Sequence, residues 1–280
     1  MILRIGLLQT TTGIDPEANA ATLVAGIAEL AGAGARLIFT PEMSGILDRD
    51  RARLAAKLSD ESSDPVLAAV RDAARRHGVW VQLGSLALCD PAHDLPVNRA
   101  LLIDAAGAVV ARYDKIHLFD VDLPGGERIR ESAGYAPGEF ATVAHTPWGG
   151  LGLTVCYDVR FPALHAALAR AGADMLSVPA AFTRPTGAAH WHILLRARAI
   201  ETGCFVIAAA QTGVHEDGRA TYGHSLVVDP WGTVLLDMGA APGSATCDID
   251  LAAVAAARAR IPALANARAF TCPEPLLENA

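Results

Sequence analysis

The chain has 280 residues, of which 52% are hydrophobic and 19% are charged, and its formal net charge is −7. This length predicts one large domain or two ordinary ones, and the composition supplies a large buried core. The acidic balance disfavours nucleic acid as the main partner, because phosphate binding needs a basic surface. No apolar run reaches the length of a membrane span, which takes about 20 residues. The first residues lack the features of a secretory signal peptide, so we expect a cytoplasmic protein that binds no membrane.

Strand and helix patterns alternate along the chain. In chain order they predict a strand over 2–10, a helix over 16–33, a strand over 35–42, a helix over 64–78, a strand over 79–88, a hairpin over 99–115, a strand over 150–158, a helix over 162–173, a strand over 174–182, a helix over 188–203, a strand over 204–211, a hairpin over 224–238, a strand over 244–250 and a last alanine-rich helix. Asp64 is the expected N-cap of the second helix, and Gly78 its end.

This alternation predicts helices that cover sheets, and the two hairpins make the sheets mixed rather than purely parallel. No repeat or linker divides the chain, so we predict a single domain over 1–280 with a C-terminal arm at about 262–280. Cysteines are odd in number and lack CxxC spacing, which indicates reduced thiols in a reducing compartment: Cys89, Cys156, Cys204, Cys247 and Cys272.

Three ionisable residues follow apolar strands directly. Glu42 ends "RLIFTPE", Lys115 ends "AVVARYDK" and Cys156 ends "GLTVC". Strand ends are where ligands bind in α/β sheets. Taken singly, each residue is more simply a loop acid, a surface lysine or a core cysteine. Together they supply a nucleophilic thiol, a carboxylate base that can then act as an acid, and a cation to stabilise thiolate and oxyanion.

These residues resemble the catalytic set of the nitrilase superfamily of carbon–nitrogen hydrolases, which is Glu, Lys and Cys in that order. The matching motifs are "FTPEMS", "RYDKIHLFD" and "CYDVRFPAL", and the resemblance runs from "LRIGLLQT" to "RIPAL". The segments "AHWHILLRARAIETGCFVIAAAQ" and "GHSLVVDPWGTVL" are most similar to the deaminated glutathione amidase branch. The segment "KIHLFDVDLPG" is similar to that branch and a little more to the ω-amidases.

The resemblance implies further parts of the site. A second catalytic glutamate lies in "GGERIRESAGYAPG", where Glu127 and Glu131 are both candidates and Glu131 fits the motif better. Its implied role is to orient the lysine. The backbone N–H of Tyr157 is implied to share the oxyanion hole with Lys115.

Substrate contacts are predicted at three positions. Arg160, close after the nucleophile, is suited to clamp a carboxylate through a bidentate guanidinium, although a structural salt bridge is an equal alternative. The resemblance places Phe182 and Thr186, in "SVPAAFTRPTG", beside the substrate.

Other classes of function fit less well. The "HWH" segment at 190–192 could suggest a metal site, but residues two apart point to different faces of a helix, so packing is the better interpretation. A Cys–His protease needs a histidine beside Cys156, and no histidine has a comparable strand-end position. A scaffold that lost activity would be favoured by a substituted triad, and none of the three is substituted.

We therefore predict a four-layer α-β-β-α sandwich with two mixed sheets, and an amidase that works through a cysteine thioester without metal or organic cofactor. The expected substrate is a small linear amide bearing a carboxylate, foremost deaminated glutathione. The alternatives are an ω-amidase acting on 2-oxoglutaramate or 2-oxosuccinamate, or another member such as a nitrilase or an N-carbamoyl or polyamine-type amidohydrolase. The resemblance implies a homodimer or higher homo-oligomer, with the helices after Cys156 and around 188–202 and the C-terminal arm as its interface.

Overall fold

The computed structural model of this protein describes residues 1–122, 126 and 128–271. Its strands are β1 (Ile2–Gln9), β2 (Leu37–Phe39), β3 (Trp80–Leu88), β4 (Val97–Ile103), β5 (Val109–Asp114), β6 (Asp120–Asp122), β7 (Arg128–Arg130), β8 (Thr142–Thr146), β9 (Gly149–Leu153), β10 (Ala173–Ser177), β11 (Phe205–Ala208), β12 (Thr212–Val214), β13 (Ala220–Tyr222), β14 (Leu226–Val228), β15 (Val234–Asp237) and β16 (Gly243–Asp250). Its α-helices are α1 (Pro16–Gly32), α2 (Arg51–Ala55), α3 (Pro65–His77), α4 (Pro162–Arg170), α5 (Arg184–Thr202), α6 (Ala252–Arg260) and α7 (Ala263–Asn266).

Two six-stranded mixed sheets form the framework of the described chain. The first has the order β16-β1-β2-β3-β4-β5, and the second β15-β14-β11-β10-β9-β8. Parallel pairs occupy the centre of each sheet, and antiparallel pairs its margins. Both predicted hairpins are present as β4–β5 and β14–β15. The mixed character of the sheets is therefore confirmed.

Alternating side chains place the sheets between helices. Leu37 and Phe39 of β2 enter a core shared with the second sheet, α4 and α5, whereas Ile38 enters a core shared with α1 and α3. This division follows from the two-residue period of a strand, which sends neighbouring side chains to opposite faces. The order helix, sheet, sheet, helix confirms the predicted four-layer sandwich.

Local signals set the helix ends as expected. The side chain of Asp64 accepts a hydrogen bond from the N–H of Leu67, and Gly78 ends α3 in a left-handed conformation with φ of +63°. Helix α5 begins at Arg184 rather than near 188, so Thr186 lies on its first turn instead of in a loop.

Two predicted strands end earlier than expected. Strand β2 stops at Phe39, three residues before Glu42, because Pro41 has no N–H to donate to a ladder. Strand β9 stops at Leu153, and Cys156 begins a 3₁₀-helical turn that runs to Arg160. Glu42 and Cys156 therefore lie just beyond their strands, whereas Lys115 directly follows β5.

Several short elements carry no clear sequence signal: α2, the hairpins β6–β7 and β12–β13, and the edge strand β8. Glu127, Cys272 and the predicted arm beyond residue 271 lie outside the described residues. No helix in the described ranges is long and apolar enough to cross a membrane.

A close backbone approach at Gly84 fixes the path of the chain towards Glu42. A Cβ atom at Gly84 would lie 2.1 Å from the carbonyl oxygen of Thr40 and 2.3 Å from that of Pro41. The N–H of Gly84 donates to the hydroxyl of Thr40 at 2.9 Å. Only a residue without a side chain lets β3 pack this tightly against the segment that presents Glu42.

Candidate active site

The two sheets meet at a cleft, and each supplies part of its floor. Glu42 and Lys115 follow β2 and β5 of the first sheet, and Cys156 follows β9 of the second. All three are buried, with exposed fractions of 4%, 2% and 8% respectively. All three line one cavity of about 520 Å³. The structure thus brings together the three residues that the sequence singled out.

Both carboxylate oxygens of Glu42 are held by donors. Its Oε1 accepts from the Nζ of Lys115 at 2.9 Å and from the side-chain amide of Asn98 at 3.0 Å. Its Oε2 accepts from the backbone N–H of Ala181 at 2.8 Å. These bonds orient a buried carboxylate that faces Cys156.

Lys115 is buried between two carboxylates. Its Nζ donates to Glu42, and to Oε1 and Oε2 of Glu131 at 3.0 and 2.8 Å. Burial opposes its charge, but the carboxylates of Glu131 and Glu42 outweigh burial and hold the pKa of Lys115 well above its usual value. Lys115 is therefore a permanent cation at the floor of the cavity.

The second glutamate beside the lysine is Glu131. It begins a short 3₁₀ turn after β7, and its Oε2 also accepts from the backbone N–H of Phe119 at 2.6 Å. Its Oε1 lies 3.3 Å from the amide nitrogen of Asn98. Glu127, the other candidate, lies outside the described residues.

Cys156 lies at the turn between β9 and α4 in a left-handed backbone conformation, with φ of +48°. Its N–H donates to the carbonyl of Pro179 at 2.8 Å. Burial and then the Glu42 carboxylate raise the pKa of the thiol well above its usual value, and Lys115 offsets this only in part. The resting pair is therefore a neutral thiol beside a carboxylate. The groups that act on the thiol do not include a histidine, which disfavours the Cys–His alternative.

Asp158 holds this turn in place from below. It is fully buried, and its Oδ2 accepts from the hydroxyl of Tyr113 at 2.7 Å and from the N–H of Val155 at 2.8 Å. Its Oδ1 accepts from the N–H of His117 at 3.1 Å and lies 2.7 Å from that residue's Nδ1. The carboxylate thereby ties the nucleophile turn to the strand that precedes Lys115.

Tyr157, Phe182 and Thr186 also line the cavity, as predicted. The N–H of Tyr157 belongs to the first turn of the 3₁₀ helix, where N–H groups have no partner within the helix. Arg160 lies behind this wall, its guanidinium carbon 5.3 Å from the ring centre of Phe182 and 5.8 Å from that of Tyr157.

Arg160 forms no ion pair with a carboxylate of the described residues. Its guanidinium nitrogens lie 3.3 Å from the Nδ1 of His190. The structural salt bridge considered as an alternative is thus not found among those residues, and substrate contact by Arg160 stays a prediction.

The sequence did not reveal Asn98, Asp158 or a group of arginines. Asn98 follows no apolar run, and only the pairing of β4 places its amide between the two glutamates. Asp158 reads as one polar residue among several after Cys156. The arginines come from three separate segments and line one side of the cavity: Arg49, Arg51, Arg128, Arg130 and Arg219.

A neutral thiol, a carboxylate in contact with it and a fixed ammonium group can together perform acyl transfer. The carboxylate can take the thiol proton, and the cation can stabilise the oxyanion that forms on a carbonyl. This chemistry agrees with the matches to known proteins. Residues 4–259 match the family described as carbon-nitrogen hydrolase. The chain belongs to this family. It is a hydrolytic enzyme that acts on amides, and the resemblance to the nitrilase superfamily is confirmed.

Relatives within the carbon-nitrogen hydrolase family are similar over almost the whole chain. A deaminated glutathione amidase from Yersinia enterocolitica is 42% identical over 99% of this chain and 96% of its own length. The crystal structure of the C. elegans NitFhit protein has a TM-score of 0.88 and 38% identity, over 95% of this chain and 65% of that chain. An amidase from Nesterenkonia sp. AN1 has a TM-score of 0.78 and 31% identity, over 93% of this chain and 98% of its own, and its structure shows Michael addition of acrylamide at the active-site cysteine.

We predict that Asp158→Asn destabilises the protein more than Tyr113→Phe does. The amide would present an N–H to donors that now share a carboxylate, and a buried unsatisfied group costs about 1–3 kcal/mol. Removing the Tyr113 hydroxyl costs one hydrogen bond, about 1 kcal/mol. Urea unfolding of both variants and the wild type measures the difference, and an Asp158→Asn protein as stable as Tyr113→Phe would contradict the role given to this carboxylate.

Proposed function

We propose that this carbon-nitrogen hydrolase cleaves its amide through a thioester on Cys156. Glu42 takes the thiol proton while sulfur attacks the amide carbonyl, and the oxyanion is stabilised by Lys115 and the N–H of Tyr157. Glu42 then donates the proton to the amide nitrogen, the C–N bond breaks and the amine leaves. The contact between a high-pKa thiol and the buried Glu42 carboxylate carries this proposal.

The second half of the reaction uses the same groups. Glu42 takes a proton from water, the hydroxide attacks the thioester carbonyl, and the C–S bond breaks to release the acid and return a proton to sulfur. Glu131 does not touch the reacting atoms in this scheme. Its two bonds to Lys115 hold the ammonium group in position.

We propose deaminated glutathione as the substrate. The 42% identity to an enzyme of that name supports the proposal, as does the charge of the cavity wall. Deaminated glutathione has a carboxylate at each end, and its cleavage yields 2-oxoglutarate and cysteinylglycine. Five arginines line the cavity, and Arg51 donates to the backbone carbonyls of Ala133 and Arg130 rather than to a carboxylate of the described chain.

An ω-amidase is the second candidate, favoured by the segment "KIHLFDVDLPG". 2-Oxoglutaramate has the same acyl unit as deaminated glutathione but releases ammonia, so it needs less of the cavity. We also propose that the enzyme acts in the cytoplasm, which suits the unpaired cysteines of the described chain.

Cys156→Ala, Lys115→Ala and Glu42→Gln should each lower kcat/KM by several orders of magnitude in a folded protein. Members of a coupled catalytic set have large individual effects, because each variant loses the shared step. Cys204→Ala is the matched control, since that thiol is buried against the carbonyl of Ala173 and lies outside the cavity. A Cys156→Ala enzyme with substantial amidase activity would refute the thioester mechanism.

The two candidate glutamates can be separated in the same assay. Glu131→Gln should lower kcat by about 100-fold or more, as removal of one electrostatic partner does at other acyl-transfer sites. Glu127→Gln should leave kcat near the wild-type value. The opposite ranking would assign the lysine-orienting role to Glu127.

A substrate panel tests the proposed specificity. We expect kcat/KM to be highest for deaminated glutathione, lower for 2-oxoglutaramate, and lowest for an aliphatic nitrile and an N-carbamoyl amino acid. Arg160→Ala should raise KM for both oxo-acid amides by the loss of one charged hydrogen bond, about 1.5–3 kcal/mol. Arg51→Ala should affect deaminated glutathione alone, because only that substrate has a second carboxylate. A preference for the nitrile or the carbamoyl compound would exclude this branch, while the thioester mechanism would stand.

We further propose a homodimer that uses the outer face of α5. Exposed apolar side chains lie together there and on the neighbouring hairpin and α6 end: Ile193, Ile200, Trp231, Leu235 and Ile261. Sedimentation should show a dimer of the wild type at micromolar concentration and a monomer of Ile200→Asp. Val110→Asp, an exposed apolar position on β5, is the control and should stay dimeric. A monomeric wild type would exclude this interface.

A further inference from the structure

Three metal-ligating side chains meet outside the catalytic cavity. His192 lies on α5, His224 precedes β14 and Asp237 ends β15. Their ligating atoms all lie within 4.8 Å of one another, the one such group found in the described ranges. The predicted divergence within "HWH" is confirmed, because His190 faces Arg160 while His192 faces Asp237. The partners of His192 come from distant parts of the chain.

Both imidazoles aim a nitrogen at one carboxylate. The Nε2 of His192 is 3.0 Å from Oδ2 of Asp237, and the Nδ1 of His224 is 2.9 Å from Oδ1. The two ring planes are inclined by 72°, so the nitrogens converge instead of stacking. Ligands about 2.1 Å from a tetrahedral zinc ion lie roughly 3.4 Å apart, which small side-chain rotations would reach here.

Neighbouring groups fix the orientation of these side chains. His224 has a left-handed backbone with φ of +55°, its N–H donates to Gly239 at 2.7 Å and its carbonyl accepts from the indole of Trp191 at 2.8 Å. The ring of Tyr222 stacks on His224 with centres 4.4 Å apart. Asp237 also accepts from the N–H of Gly239 at 2.9 Å. Such outer contacts pre-orient metal ligands.

We propose that His192, His224 and Asp237 bind one Zn²⁺ ion per chain. Two imidazoles and a carboxylate are ligands that zinc accepts, and water can complete the tetrahedron. A carboxylate only accepts hydrogen bonds, so each facing nitrogen carries a proton when no ion is bound. On binding, that proton moves to the other ring nitrogen of the same imidazole, and the freed lone pair faces the ion.

The ion would have a structural role. Its ligands join α5 to the β14–β15 hairpin and to the loop after β13. The N–H of Tyr222 in that loop donates to the carbonyl of Phe182 at 2.9 Å, and Trp191 packs on the Phe182 ring with centres 4.8 Å apart. Zinc would therefore brace the segment that supports one wall of the cavity. This inference does not depend on the substrate or on the thioester mechanism.

Zinc binding can be measured by equilibrium dialysis of tag-free protein that carries Cys156→Ala, so that the catalytic thiol does not compete for the ion. We expect one Zn²⁺ per chain with a micromolar or lower Kd. Co²⁺ should give the visible absorption bands of a tetrahedral ion. Adding His192→Ala or Asp237→Asn should weaken binding by more than about 100-fold, since loss of outer-shell partners alone costs about 10–100-fold.

His145→Ala is the matched control, because His145 is exposed on β8 and belongs to no such cluster. It should bind zinc as the parent does. Zinc should also raise the Tm of the parent and of the control but not that of His192→Ala, with circular dichroism checking that every variant is folded. Absence of bound zinc in the parent, or unchanged affinity in His192→Ala and Asp237→Asn, would overturn the proposal.

Discussion

The active site depends on one buried ion cluster, in which the ammonium group of Lys115 lies between the carboxylates of Glu42 and Glu131. Charges at this depth are costly unless they are paired and hydrogen-bonded. The amide of Asn98 and the backbone N–H of Ala181 donate to these carboxylates and supply the remaining bonds. Because the cluster holds more negative than positive charge, it favours the neutral thiol at rest and a proton transfer to Glu42 during attack.

This cluster explains why the fold needs two sheets. The first sheet supplies the acid and the base of the ion pair, while the second supplies the thiol at Cys156 and the N–H of Ala181. Neither sheet alone can place a nucleophile beside a base that is already fixed. Asp158 joins the two, since it belongs to the nucleophile turn of the second sheet and binds Tyr113 of the first. Packing between the sheets therefore sets the catalytic distances.

The sequence predicted the alternation of elements, the two hairpins and the three ionisable residues, because each is a local pattern. It did not predict Asn98, whose role arises from the register between β3 and β4. It also extended a strand through Cys156, because "GLTVC" favours β structure and only the hydrogen bonds of Asp158 impose the turn. The partners of His192 were hidden for the same reason, since His224 and Asp237 meet it only in the folded chain.

The left-handed backbone at Cys156 places activity and stability in opposition. An L-residue in this conformation costs roughly 1–2 kcal/mol, whereas glycine adopts it freely. Glycine would thus relax the backbone at φ of +48° and remove the sulfur in one step. Selection for stability alone would discard the nucleophile, so the retention of cysteine at this position records a selective demand for chemistry.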